Sequence, residues 1–186
     1  MTWANNRLSL SSIQELARSG SEKVRNLLKT FKENHIEVDR PSWDQYFINI
    51  AKVASERSSD SQTKVGAVVV NDNNQILGVG YNGPVAGIND IFIPNTRPLK
   101  YPFYLHGEIN AISNCTQMPR GAKVYLNMRP CTTCLQFMAQ IGIKEVIYVD
   151  NKPVMCQDEE QENLLTILVA LLENKIKMRV YTEPNT

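Results

Sequence analysis

Three metal-donor side chains fall in two short stretches, His106-Gly107-Glu108 and Pro130-Cys131-Thr132-Thr133-Cys134. For these donors to serve one ion, the fold must bring together two segments about two dozen residues apart, and no other feature constrains the chain as tightly. One histidine and two cysteines form a borderline-soft N/S set that suits zinc, and three protein ligands leave the fourth tetrahedral position for water, which is a catalytic count. Two thiolates and a neutral imidazole balance the dication, so the pKa of a bound water falls toward roughly 7. Glu108, two residues from the histidine, is the candidate proton carrier. A C-x-x-C pair also fits a redox pair or half of a four-ligand structural site. Cys115, Cys156 and His35 are the remaining cysteines and histidine, so counting alone leaves a closed site open.

Placing His106 and Cys131 at two helix starts explains the spacing. A helix N-terminus presents unpaired N–H groups and a partial positive charge, which favours thiolate at Cys131, and one turn of helix brings Cys134 beside it. The whole pattern, H-x-E followed by P-C-x-x-C, matches the spacing known for zinc nucleobase deaminases.

Composition excludes several partners. With 186 residues, 42% of them hydrophobic, the chain reads as one globular domain with room for an extra element. Twenty basic residues against 19 acidic ones give a net charge of +1, too balanced for a nucleic-acid face. The longest apolar run, Leu164 to Leu172, is too short to span a bilayer. No secretory leader is evident, which predicts a cytoplasmic location, where thiols stay reduced and Cys131 and Cys134 favour a metal over a disulfide.

Along the chain, residues 1–40 stand apart from residues 41–186. Leu10, Ile13, Leu16 and Ala17, then Val24, Leu27, Leu28 and Phe31, recur at helical spacing on either side of Ser19-Gly20-Ser21. They predict an N-terminal helical extension of two short amphipathic helices, packed on the domain or on a neighbouring subunit, with a partner-binding arm as the alternative. Ser42 and Gln45 form a capping box for a helix whose apolar stripe is Trp43, Tyr46, Phe47, Ile50, Ala51 and Ala54. Residues 65–70 and 75–80 read as a hairpin across Asn71-Asp72-Asn73-Asn74. The segment to Leu105 is irregular, punctuated by Pro94, Pro98 and Pro102. A helix from His106, a strand at 122–126, a helix from Cys131, a strand at 145–149, a helix over 159–174 and a strand at 177–181 complete the order. This predicts an α/β fold of three layers, with a five-stranded mixed sheet between helices.

The residues from about 42 to 150 resemble the cytidine and deoxycytidylate deaminase family, most closely its deoxycytidylate branch. The likeness extends beyond the zinc motif to Ser42-Trp43-Asp44-Gln45-Tyr46-Phe47, Glu56-Arg57-Ser58, Lys64-Val65-Gly66-Ala67, Gly80-Tyr81-Asn82-Gly83, Lys100-Tyr101-Pro102-Phe103 and Glu108-Ile109-Asn110-Ala111-Ile112. It implies a cytidine-deaminase-like fold, zinc on His106, Cys131 and Cys134, proton transfer by Glu108, Asn82 beside the substrate sugar and Ala67 lining the base pocket. It also implies a homo-oligomer, commonly a hexamer, and regulation by deoxynucleoside triphosphates, with Mg2+ accompanying the effector. Three departures stand out. Gly107 replaces the family's usual alanine, Pro84 follows Gly83 directly, and after Tyr148 the second tyrosine associated with the 5′-phosphate gives way to Val149-Asp150-Asn151-Lys152-Pro153. Arg57, Lys64, Arg97 and Lys100 are the cations available to replace it, Arg57 and Lys100 foremost, with Tyr101 adjoining.

The implied reaction is hydrolytic deamination of dCMP to dUMP with loss of ammonia, supplying pyrimidine deoxynucleotide synthesis and needing no organic cofactor. The rival substrates are a nucleoside, a free base, a pterin-like compound or dCTP. A nucleic-acid editing deaminase would show a basic face or aromatic platforms. A non-enzymatic zinc module would take Cys115 or Cys156 as fourth ligand.

Overall fold

The two amphipathic stretches before residue 40 form helices, separated where the sequence breaks. In the computed structural model, which describes residues 10–151 and 159–183, α1 is Leu10–Ser19 and α2 is Glu22–Glu33. Ser21 caps α2, its hydroxyl accepting the Val24 N–H at 3.5 Å. The chain divides into two compact units, residues 1–40 and 41–186. Within the first, Ile13, Ala17, Val24 and Leu28 are partly covered and no residue of α2 is fully buried.

The second unit is built on a strand with no polar face. Successive side chains of a strand point to opposite sides, so β1, Gly66–Val70, with every residue buried, requires cover on both. Ala67 and Val69 face one apolar cluster, Val68 and Val70 the other. β1 pairs antiparallel with β2, Ile76–Tyr81, and with β3, Lys123–Leu126. β3 then runs parallel to β4, Glu145–Tyr148, and β4 parallel to β5, Lys177–Val180. The order β2-β1-β3-β4-β5 is the five-stranded mixed sheet expected. Each strand lies within one residue of its sequence-derived bounds.

One face of the sheet carries α3, Trp43–Ser55; the other carries α4, Gly107–Ser113, α5, Thr132–Ile141, and α6, Glu159–Leu171. Ser42 caps α3 as its sequence predicts, accepting the Gln45 N–H at 3.2 Å. The buried stripe of α3 differs from the expected one. Phe47, Ile48, Ala51 and Ser55 face inward, whereas Trp43 and Tyr46 are 54% and 43% exposed. The closest approach of helix to sheet sets this rotation, since a methyl on Gly66 would lie 1.9 Å from the Ala51 carbonyl oxygen. Trp43, two turns before that contact, instead stacks on Phe47 with ring centroids 5.6 Å apart.

A second close approach positions α4. A Cβ on Gly80 would sit 2.2 Å from the Ala111 nitrogen and 2.6 Å from its Cα, so the α4 backbone rests directly on β2. Gly80→Ala should therefore destabilise the protein by about 3 kcal/mol and lower Tm by roughly 6–12 °C. Val53→Ala, at a residue 63% exposed, should change stability by less than about 0.5 kcal/mol. Thermal denaturation of the two variants beside wild type checks both values.

Candidate metal centre and active-site cavity

α4 and α5 each begin at a residue with extended backbone, His106 (φ −71°, ψ 148°) and Cys131 (φ −79°, ψ 168°). Both starts are tied to the sheet. Gly83 and Leu105 exchange backbone hydrogen bonds of 3.1 and 2.8 Å, fixing the residue before His106 to the end of β2. Beyond β3, Asn127 accepts the Gly66 N–H at 2.8 Å and donates to the Lys64 carbonyl at 3.0 Å, anchoring the approach to Cys131 at the start of β1. The two helix ends thus meet at one edge of the central strand.

His106 Nδ1 lies 3.5 Å from Cys131 Sγ and 3.3 Å from Cys134 Sγ, and the three donor atoms are all within 4.8 Å of one another. Ligand bonds of 2.0–2.3 Å at a tetrahedral zinc place donor atoms about 3.6 Å apart, so the set fits that ion. Among the described residues no other group of three such donors occurs. Cys115 is elsewhere, its thiol directed to the Ala111 carbonyl at 3.5 Å. His35 belongs to the first unit, and Cys156 lies outside the described residues.

The donors are electrostatically prepared for a cation. Hydrogen bonding from the Cys134 thiol, then from His106, holds Cys131 down to about 4. The same pairing, with burial, raises Cys134 above its ordinary value, and the partnership with Cys131 raises His106. A divalent ion binds both sulfurs as thiolates, so its binding releases the Cys134 proton. Glu108 is 4% exposed, and burial, reinforced by the negative charge at Cys131, pushes its carboxyl up.

A cavity of about 360 Å³ opens onto this centre, lined by His106, Glu108 and Cys131, with Cys134 fully buried behind them. That volume suits a small organic ligand. Asn82, Lys100 and Tyr101 line it as well; Ala67 and Arg57 do not. Ala67 is enclosed in the core shared by β1 and α4, and Arg57 is exposed in the turn after α3. Lys64 is likewise exposed, its ammonium 3.5 Å from the Glu56 carbonyl.

Lys100 is placed differently from the free cation expected of it. It is 3% exposed, and its ammonium contacts both Asp60 carboxylate oxygens, at 2.6 and 2.5 Å. Burial works against the Asp60 charge, but Lys100 and the Gln62 and Thr63 N–H donors hold its pKa below the usual carboxylate range. Removing one member of such a buried pair costs about 3–5 kcal/mol. Asn82 joins the same network, accepting the Val65 N–H at 2.8 Å and donating to Asp60 at 3.0 Å and to the Thr63 carbonyl at 2.8 Å. Its amide therefore braces the wall. Asp60, Tyr104 and Arg129 also line the cavity and were missed in the sequence reading, while Arg97 lines it as one of the four cations named there.

The profile of the cytidine and deoxycytidylate deaminase zinc-binding region matches residues 41–150, and the chain belongs to that family of zinc-binding hydrolytic deaminases. Within the family its similarity is to deoxycytidylate deaminases. It is 36% identical to the deoxycytidylate deaminase of Mus musculus over 140 residues, covering 72% of this chain and 77% of the mouse protein. It is 38% identical to the Homo sapiens deoxycytidylate deaminase over 121 residues, covering 61% and 68%. The dCMP deaminase of cyanophage S-TIM5 superposes with a TM-score of 0.57 at 25% identity, covering 77% of this chain and all of the phage chain.

Metal analysis of purified protein should find about one zinc per chain in wild type and in Cys115→Ser. His106→Ala, Cys131→Ser and Cys134→Ser should each retain roughly a tenth or less, since losing a ligand also loses geometry. Zinc loss in Cys115→Ser would show a closed four-ligand site.

Proposed function

We propose that the protein hydrolyses dCMP to dUMP and ammonia. The observation carrying this reading is the joining of a His/Cys/Cys donor set and a buried glutamate at one cavity of nucleotide-compatible size. The similarity to the mouse and human deoxycytidylate deaminases supports dCMP as the substrate.

His106, Cys131 and Cys134 would hold zinc, which supplies the Lewis acidity that makes water nucleophilic at neutral pH. Glu108 accepts a proton from the attacking water and delivers it to N3 of the cytosine ring as oxygen bonds to C4. The hydroxyl now on C4 then gives its proton through Glu108 to the exocyclic amine, the C4–N bond breaks, and ammonia leaves as the uracil carbonyl forms. Its burial keeps the Glu108 carboxyl out of bulk water and close to the donor cluster. The network of Asp60, Asn82 and Lys100, which joins three segments of the chain, supplies a fixed wall against which the nucleotide is oriented. A reducing cytoplasmic compartment suits thiolate ligands, and among the described residues no helix is long and apolar enough to cross a membrane. In this reading Mg2+ enters only as counter-ion to the phosphates of an effector nucleotide.

Glu108→Gln should retain zinc and a near-native Tm while kcat for dCMP falls by about 10²–10⁴, the usual worth of a positioned acid–base group. Turnover assays with dCMP, cytidine, cytosine and dCTP test the reaction, and undiminished activity in Glu108→Gln would remove the glutamate from it.

The reading includes assembly into a homo-oligomer, with a hexamer favoured. The segment between β2 and α4 exposes Ile91 and Phe92 at 79% and 84%, together with Leu99 and Phe103 at 65% and 50%. Apolar exposure of this kind marks interaction surfaces. Light scattering should give a mass several times the 21.1 kDa chain; a monomer would contradict assembly.

A further inference from the structure

We infer that Arg97 and Arg129 hold the substrate's 5′-phosphate between the Nε edges of their guanidinium groups. This rests on the nucleotide reading above and assigns the recognition of its charged end. The Nε atoms of Arg97 and Arg129 are both buried without a hydrogen-bond partner, and both side chains line the cavity that opens onto the metal donors. A guanidinium has no acceptor atoms and five donors, so a buried N–H left unmet costs stability until an acceptor arrives.

Each arginine is held with part of its fork engaged. Arg97 Nη2 donates to the Thr63 hydroxyl at 2.5 Å, and its backbone N–H donates to Gln62 Oε1 at 2.8 Å. Arg129 Nη1 reaches Glu162 at 3.4 Å, its backbone N–H donates to the Asn151 carbonyl at 3.2 Å, and its side chain is only 16% exposed. These contacts fix the planes of the guanidinium groups, and each covered Nε is left without a protein acceptor beside the cavity. The parallel N–H groups along a guanidinium edge match two oxygens of a phosphate, a geometry a lysine ammonium lacks.

The other charges at the cavity point the same way. Lys100 is neutralised by Asp60 at 2.5 Å, and a zinc bound by two thiolates and an imidazole adds no net charge. Arg97 meets neutral acceptors. A monophosphate carries about −1.5 to −2 at pH 7; Arg97 offers it an unpaired charge, and Arg129, already paired with Glu162 at 3.4 Å, adds donors and part of a second. A nucleoside or free base offers nothing to these donors.

The test compares dCMP with deoxycytidine on the full-length protein. Arg97→Ala and Arg129→Ala should each lower kcat/KM for dCMP by roughly ten- to a hundredfold while deoxycytidine turnover changes by less than about twofold. Arg97→Lys and Arg129→Lys keep the charge and stem but lose the fork, and should fall between; they also serve if an alanine variant does not fold. Isothermal titration with dUMP gives a readout independent of chemistry, and its affinity should drop by a similar factor. An unchanged preference for dCMP in the variants, or equal losses with both substrates, overturns the assignment while leaving deamination intact. Loss of dUMP binding in both variants of a protein that deaminates no cytosine compound would support the phosphate site and overturn the reaction.

Discussion

The site depends on backbone lying against backbone. α4 lies on β2 at a distance that only glycine permits, because a side chain at Gly80 would strike Ala111 directly, and one at Gly78 would meet the Ala111 carbonyl at 2.3 Å. These two strand positions therefore fix how far the first turn of α4 stands from the sheet, and with it His106 and Glu108. α5 is positioned independently by Asn127, which bonds across to Gly66 and Lys64. The metal donors converge because α4 is referenced to β2 and α5 to β1, two strands paired at this end with Gly66 opposite Tyr81. The family's usual alanine at position 107 would place its methyl 2.9 Å from the Val65 carbonyl, a contact this chain's glycine relieves.

A polar network performs for the cavity wall what packing does for the core. Asp60, Asn82 and Lys100 are each at most 8% exposed, and each is satisfied by the others or by nearby backbone. A buried pair of this kind adds little net stability over apolar residues of the same shape, yet breaking it is costly, so it fixes one arrangement of the segments it joins. Charge on this wall is internally cancelled, and the ionic character of the cavity falls to its arginines.

Much of the fold was legible in the sequence because its signals are local. The Ser42 cap, the apolar run at β1, the Asn71–Asn74 turn and the helix starts at His106 and Cys131 each declare themselves within a few residues, and the structure shows them there. What escaped is non-local. Lys100 and Asp60 are 40 residues apart, and nothing near either marks it as half of a pair, so Lys100 looked like a free cation. Ala67 belongs to a strand whose two faces are equally apolar, and only the position of α4 shows that its face is core. Trp43 fitted a helical stripe whose true orientation is set by Gly66, across the sheet layer. Arg129 sat unremarked between Met128 and Pro130, although its place directly before P-C-x-x-C was the available clue that it adjoins the metal centre.

The Asp60 carboxylate gathers bonds from Lys100, Asn82 and the Gln62 and Thr63 amides onto two oxygen atoms. Its folded pKa is depressed, so its contribution is complete above the unfolded value of about 3.9 and drains away as pH falls through the lower folded one. A single proton at that carboxylate weakens the attachments of four residues together, three of which, Thr63, Asn82 and Lys100, line the cavity. Acid therefore reaches the part of the molecule that meets substrate through one carboxylate, as it reaches the α3 side of the sheet through Asp44, which is bonded to Tyr125 and Arg179 and likewise held below its ordinary value.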